Sequence, residues 1–205
     1  MKIHRTGLVP RPQFVRDARI FVIAVEGEKT EAQYFSLFQG SRVHVEVLSA
    51  GPDGLSAPRQ VLERLVKFEE QFDLGKDDER WLIIDVDRQR PQFLGEATQV
   101  AQESGYGLAI SNPCFELWLL MHFQEADVVD TDCNAVIERL RPHTGGHNKA
   151  RMRLDPYTLG GVRAAITRAK ALEGERATLW PAFPGTHVFR VVERLLQFCT
   201  LGTTT

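Results

Sequence analysis

The sequence predicts an α/β fold: a central parallel sheet of about four strands, flanked by helices, with a helical C-terminal portion. Three observations predict it. Residues 20–25 and 81–86 are short, continuous apolar runs rich in β-branched residues, as suits strands buried on both faces. Amphipathic stretches at helical spacing separate these runs. The resulting order β-α-β-α-β-α-β favours parallel strands joined by crossover helices in a doubly wound sheet.

The elements follow in order. Residues 1–19 form an N-terminal arm broken by Pro10 and Pro12, and 20–25 is the first strand. Thr30-Glu31-Ala32-Gln33 fits a capping box, and Tyr34, Phe35 and Phe38 then share a helical face. Residues 43–48 alternate like a second strand. After the turn Gly51-Pro52-Asp53-Gly54, the apolar Val61, Leu62, Leu65, Val66 and Phe72 suit an amphipathic helix. Residues 81–86 make a third strand, 96–104 a short helix and 106–110 a fourth strand. Together 20–125 is the α/β core.

Residues 126–205 read as a helical portion packed on the same domain. Residues 113–123 are too apolar to be exposed, 128–140 contains a helix, and 143–148 (HTGGHN) is a loop. Asp155-Pro156 predicts a helix start, with Val162, Ala165, Ile166, Ala169 and Leu172 facing inward. Thr186 caps a last helix through Phe198. No fifth strand is predicted.

Composition bounds the function classes. The 205 residues are 43% apolar and 25% charged with a formal charge of −2, as in one ordinary globular domain. No 18-residue apolar run exists, so no membrane partner is expected. Cys114, Cys133 and Cys199 are odd in number and far apart without a CxxC pair, which argues against disulfides and structural zinc and for a cytoplasmic location. Charge is uneven: 63–79 holds seven acids against three bases, and 139–176 nine Lys/Arg against three acids. The second block is either a solvated face or a surface for a phosphate backbone.

The chemistry gathers where strands end. In an open parallel sheet, ligands collect beyond the carboxyl ends of the strands. Glu26 ends the first strand, Asp85 and Asp87 end the third and point the same way, and Glu116 stands on the first turn of the helix after the fourth. Four converging acids repel each other unless a cation joins them, and hard oxygen ligands suit Mg²⁺ or Mn²⁺. Glu28 and Glu31 are left to the helix N-terminus. "EGEKT" lacks the glycine spacing of a P-loop, so an NTPase is rejected. His122 reads as a satisfied core histidine.

"VEGEKTEAQYF", "IIDVDR" and "SNPCFELWLLMHF", in this order and spacing, resemble the RloB-like family, closely over 20–125 and more loosely beyond. That family is similar to the Toprim fold of topoisomerases, primases and overcoming-lysogenization-defect nucleases. The resemblance therefore implies a Toprim-like core and maps the motif glutamate onto Glu26 and the aspartate pair onto Asp85 and Asp87. It further implies an AAA-type ATPase partner encoded nearby, a role in bacterial defence against phages, and cleavage of nucleic acid, transfer RNA included.

The expected activity is thus metal-dependent phosphodiester hydrolysis, with Glu26, Asp85 and Asp87 holding one or two ions. Glu116 completes the site, acts as a base through water, or serves its helix start. Asn112 positions a phosphate or caps that helix. Lys149, Arg151 and Arg153 are candidates for the substrate backbone. RNA is the expected target, DNA nicking or restriction the alternative, and a non-catalytic adaptor for the ATPase the third reading.

Overall fold

The computed structural model describes residues 18–51, 57–86, 91–130, 132–146, 150–173, 179–199 and 201. Among them the sheet has five strands in the order β2-β1-β3-β4-β5. β1 (Arg19–Val25), β2 (Val43–Leu48), β3 (Glu79–Asp85) and β4 (Gly107–Asn112) are parallel. β5 (Gly185–Thr186) joins β4 antiparallel. The chain is therefore α/β with a mostly parallel central sheet, as the alternation of apolar runs and amphipathic stretches predicts.

β5 corrects the expectation of four strands. Two residues carry no periodicity, so nothing in the sequence marks them as a strand. Their pairing is tertiary: the Ser111 and Thr186 hydroxyls lie 2.9 Å apart, and the His187 N–H donates to Ile110 O at 2.8 Å.

Helices cover both faces, and the strand alternation sorts their partners. Val22, Ala24, Leu82, Ile84, Leu108 and Ile110 pack on one face against α2 (Pro58–Gln71) and α3 (Pro91–Glu103), through Val61, Leu62, Leu65, Leu94 and Ala101. Phe21, Ile23, Val25, Val43, Val45 and Ile83 face the other side. There they meet α1 (Thr30–Phe35), α4 (Phe115–Leu120), α5 (Cys133–Thr144), α6 (Leu159–Glu173) and α7 (Val188–Leu196). Tyr34, Phe35, Phe38, Phe115 and Trp118 are fully buried there. Each large side chain taken from water stabilises the fold by roughly 1.5–3 kcal/mol, which is why 113–123 stays inside.

Local chemistry moved several boundaries. α1 begins at Thr30 itself with Lys29 as N-cap and no side-chain cap, so the capping box does not form. Gln33 instead donates to Lys29 O and accepts the Met152 N–H, each between 2.8 and 3.0 Å. α5 is capped by Asp132, whose carboxylate accepts from Asn134 and Ala135, and it runs through His143 to a left-handed Gly145. The predicted loop thus starts two residues later than expected. α6 starts at Leu159 rather than at Asp155-Pro156, because the Asp155 carboxylate pairs with Arg153 instead. Val162, Ala165 and Ala169 form its buried stripe, while Leu172 is exposed. Thr186 does serve α7, accepting the Val188 N–H at 3.3 Å. No described helix is long and apolar enough to cross a membrane.

Candidate active site

The strand order places the site. The chain leaves β1 for β2 on one side and returns to β3 on the other, so the sheet reverses its winding between β1 and β3. Crossover segments diverge at such a point and open a crevice beyond the strands' carboxyl ends. Glu26 follows β1 and Asp85 ends β3, on either side of that crevice. They are joined directly: Glu26 Oε2 accepts the Asp85 N–H at 3.1 Å. The Arg64 guanidinium, from α2, donates to the carbonyl of Val25, the residue before Glu26. The Glu26 carboxylate is thus buried and oriented by the strand next to it.

Glu31 belongs to the same cluster, although its sequence position left it to the helix N-terminus. Its side chain turns back and accepts the Gly27 N–H at 3.0 Å. A Cβ on residue 27 would overlap the Glu31 carboxylate, so glycine is required for this approach. Burial, with the charges of Glu116 and Glu26 adding to it, pushes the Glu31 carboxyl up to about 7, although main-chain hydrogen bonds pull the other way. Glu28, by contrast, is exposed and pairs with Lys29 at 3.4 Å. Three acids crowded into six residues are therefore separated by the fold into two site carboxylates and one surface charge.

Glu116 comes in from α4 and is buried. Its Oε2 lies 3.3 Å from Cys133 Sγ, and its charge adds to burial in raising the Tyr157 phenol. Cys114 and Cys133 are joined as a disulfide with Cα atoms 5.7 Å apart, which overturns the expectation drawn from cysteine spacing. The N-terminal ends of α4 and α5 pack together, and sequence separation does not report that. Cys133 has no thiol proton in this state, so its contact with Glu116 is not a hydrogen bond.

Glu26 and Glu116 lie near enough to Glu31 for their charges to act on it, and the Asp85 main chain meets Glu26; Asp87 lies outside the described residues. Asn112 does not cap α4, where Cys114 holds the N-cap position; its amide donates to Pro181 O at 3.3 Å. Lys149 also lies outside the described residues. Arg151 and Arg153 are exposed, Arg153 is paired with Asp155 at 2.6 Å, and the Met152–Gln33 bond pins this stretch to α1, the helix carrying Glu31. Part of the basic block is spent within the fold, Arg139 on Asp130 and Arg168 on Met121 O, while Lys170 pairs with Glu193 at the surface.

His122 is a core residue. Trp118 O can only accept, so Nδ1 carries the proton and Nε2 accepts from the Tyr34 hydroxyl, at 3.0 and 3.1 Å. Burial lowers its pKa to about 4. Tyr157, packed edge-on against Tyr34 and His122, is likewise a buried neutral phenol.

The carboxylates of Glu26 and Glu116 act on Glu31 through their charges, and hard oxygen donors of this kind are those that Mg²⁺ or Mn²⁺ takes. Among the described residues, however, these carboxylates do not close to ligand distance of one another; the group that does, within 4.8 Å, is Cys114, Glu116 and Cys133.

A family model described as "RloB-like protein" matches residues 21–195. Neither the curated proteins nor the solved structures contain a match to the chain.

Proposed function

The chain belongs to the RloB-like family, and from that premise we propose that it is a Mg²⁺- or Mn²⁺-dependent nuclease acting on RNA such as transfer RNA. The observation that carries the reading is geometric: Glu26 after β1 and Asp85 at the end of β3 are joined across the sheet's switch point, beside the buried Glu31. Glu26 and Asp85, with Asp87, hold the ion. Bound there, it supplies Lewis-acid polarisation of a phosphate and activation of water.

The chain's own residues supply the rest. The Asp85 N–H fixes the rotation of the Glu26 carboxylate, so the ligand is oriented before anything binds. Glu31, near half-protonation at neutral pH, is suited to take a proton from water or return one to a leaving oxygen. Burial sustains that proton affinity first, and the charge of Glu116 adds to it. Arg151 lies on the exposed segment tied to α1 and, together with Lys149, neutralises substrate phosphates. Control by an AAA-type ATPase and abortive defence against phages complete the proposal, and these rest on the family resemblance.

The test incubates purified protein with Mg²⁺ or Mn²⁺ on transfer RNA and on plasmid DNA, with and without the neighbouring ATPase. RNA cleavage lost in Glu26→Ala and Asp85→Ala is the expected result. Cleavage of DNA alone would replace the substrate. No cleavage together with no Mn²⁺ binding would overturn the enzyme and favour an adaptor.

A further inference from the structure

A second constellation lies against the carboxylate cluster and uses different chemistry. Cys114 precedes the first residue of α4, Cys133 opens α5, and Glu116 is the second residue of α4. All three are buried, and one ligand atom from each lies within 4.8 Å of the others. Two sulfurs and one carboxylate oxygen, drawn from two helices, make a mixed soft and hard set that suits Zn²⁺ far better than Mg²⁺.

We propose that in the reduced protein Cys114, Cys133 and Glu116 bind Zn²⁺, and that this state and the disulfide exclude each other. The geometry needs little adjustment. With Zn–S near 2.3 Å and Zn–O near 2.0 Å, a tetrahedral site sets sulfur and oxygen about 3.5 Å apart and the two sulfurs about 3.8 Å apart. The Glu116 Oε2 to Cys133 Sγ separation is already 3.3 Å. The sulfurs must part, and Cα atoms 5.7 Å apart let side-chain rotation supply that. Water takes the fourth position. Charge favours the site as well, because two thiolates and a carboxylate in a buried region are stable only around a cation.

The two states interconvert by a balanced exchange. A peroxide oxidant takes one electron from each thiolate; the S–S bond forms, the O–O bond breaks, two protons are consumed, two waters leave and Zn²⁺ is released. A dithiol reductant returns two electrons and two protons and becomes a disulfide itself. Because Glu116 is shared with the carboxylate cluster, either state is felt there. The zinc site itself does not depend on the nuclease reading.

The full chain, reduced with a phosphine and handled without oxygen, is titrated with Co²⁺ as a spectroscopic stand-in. One Co²⁺ per chain, with thiolate charge-transfer absorption that Zn²⁺ abolishes by displacement, is expected. Cys114→Ser and Cys133→Ser remove that absorption, Cys199→Ser keeps it, and Glu116→Gln keeps it with affinity at least about tenfold weaker. Circular dichroism of each variant separates loss of ligand from loss of fold. If either serine variant unfolds, peroxide treatment of the zinc-loaded wild type decides, with one Zn²⁺ released per two thiols lost. No thiolate absorption in the wild type, its persistence in the double serine variant, or peroxide oxidation without zinc release would overturn the site.

Discussion

Glu26 Oε2 accepts the main-chain N–H of Asp85 at 3.1 Å, so the residue after β1 is held by the last residue of β3. The two positions are 59 apart in sequence and adjacent only because β3 pairs with β1 beyond β2. One hydrogen bond thereby does two jobs: it closes the sheet at its carboxyl end and it sets a carboxylate over the crevice.

Separating those jobs gives the first prediction. Glu26→Gln keeps an acceptor for the Asp85 N–H but removes the charge, so its urea midpoint should stay close to wild type while Mn²⁺ affinity falls at least about tenfold. Glu26→Ala should lose the same affinity and in addition about 1–3 kcal/mol of stability, because the N–H is left without this partner. Calorimetric Mn²⁺ titration and urea unfolding check both. Equal stability in the two variants would show that the hydrogen bond is dispensable.

Gly27→Ala should act through Glu31. The added methyl overlaps the carboxylate and breaks its bond to the residue 27 N–H. Overpacking of this kind costs about 1–3 kcal/mol. Gly27→Ala in a Glu31→Ala background should cost less, since the clash is gone; a double-mutant cycle by chemical denaturation measures the coupling.

The metal-free protein should lose stability as pH rises through Glu31. Unfolded, this carboxyl titrates at 4.5; folded, at about 7. Between those values the folded state holds a proton that the unfolded state has released, so the stabilisation is complete below 4.5 and lost by the time pH passes 7. The displacement corresponds to about 3 kcal/mol. Glu31→Gln should therefore unfold at higher urea than wild type at pH 8 without metal and show little difference at pH 4.5. Saturating Mn²⁺ should reverse the order at pH 8.

His122 works in the opposite sense. Its folded pKa of about 4 lies below the ordinary 6.5, so its contribution is full above 6.5 and declines as pH falls toward 4. His187, lowered to about 4 by burial and the Arg190 charge, adds to the decline. The His122 ring signals in a pH-series NMR experiment should stay those of the neutral imidazole down to about pH 5. Protonation near pH 6.5 would contradict the buried Tyr34–His122–Trp118 arrangement.

Much of this was legible in advance. Apolar runs and their spacing located β1 to β4 and the two helix-covered faces, since burial on both sides demands uninterrupted apolar residues. Glu26, Asp85 and Glu116 were legible because strand ends and the turn after β4 are recognisable positions. Glu31 was not: an acid in the first turn of a helix looks the same whether it faces solvent or turns inward past a glycine. Gly27 was the available signal, since an EGxxxE pattern lets the second carboxylate approach the backbone between the two.

What the sequence determined by itself is therefore local: which segments are strands or helices, which faces are apolar, and which carboxylates stand at strand ends. The tertiary structure decided the pairing of Glu26 with Asp85, the inward turn of Glu31, the addition of β5 to the sheet edge and the meeting of Cys114 with Cys133. The physical reason is that periodicity records how each residue sits within its own element. Hydrogen bonds, repulsion between carboxylates and sulfur contacts depend instead on distances between elements, and those exist only once the helices have packed on the sheet.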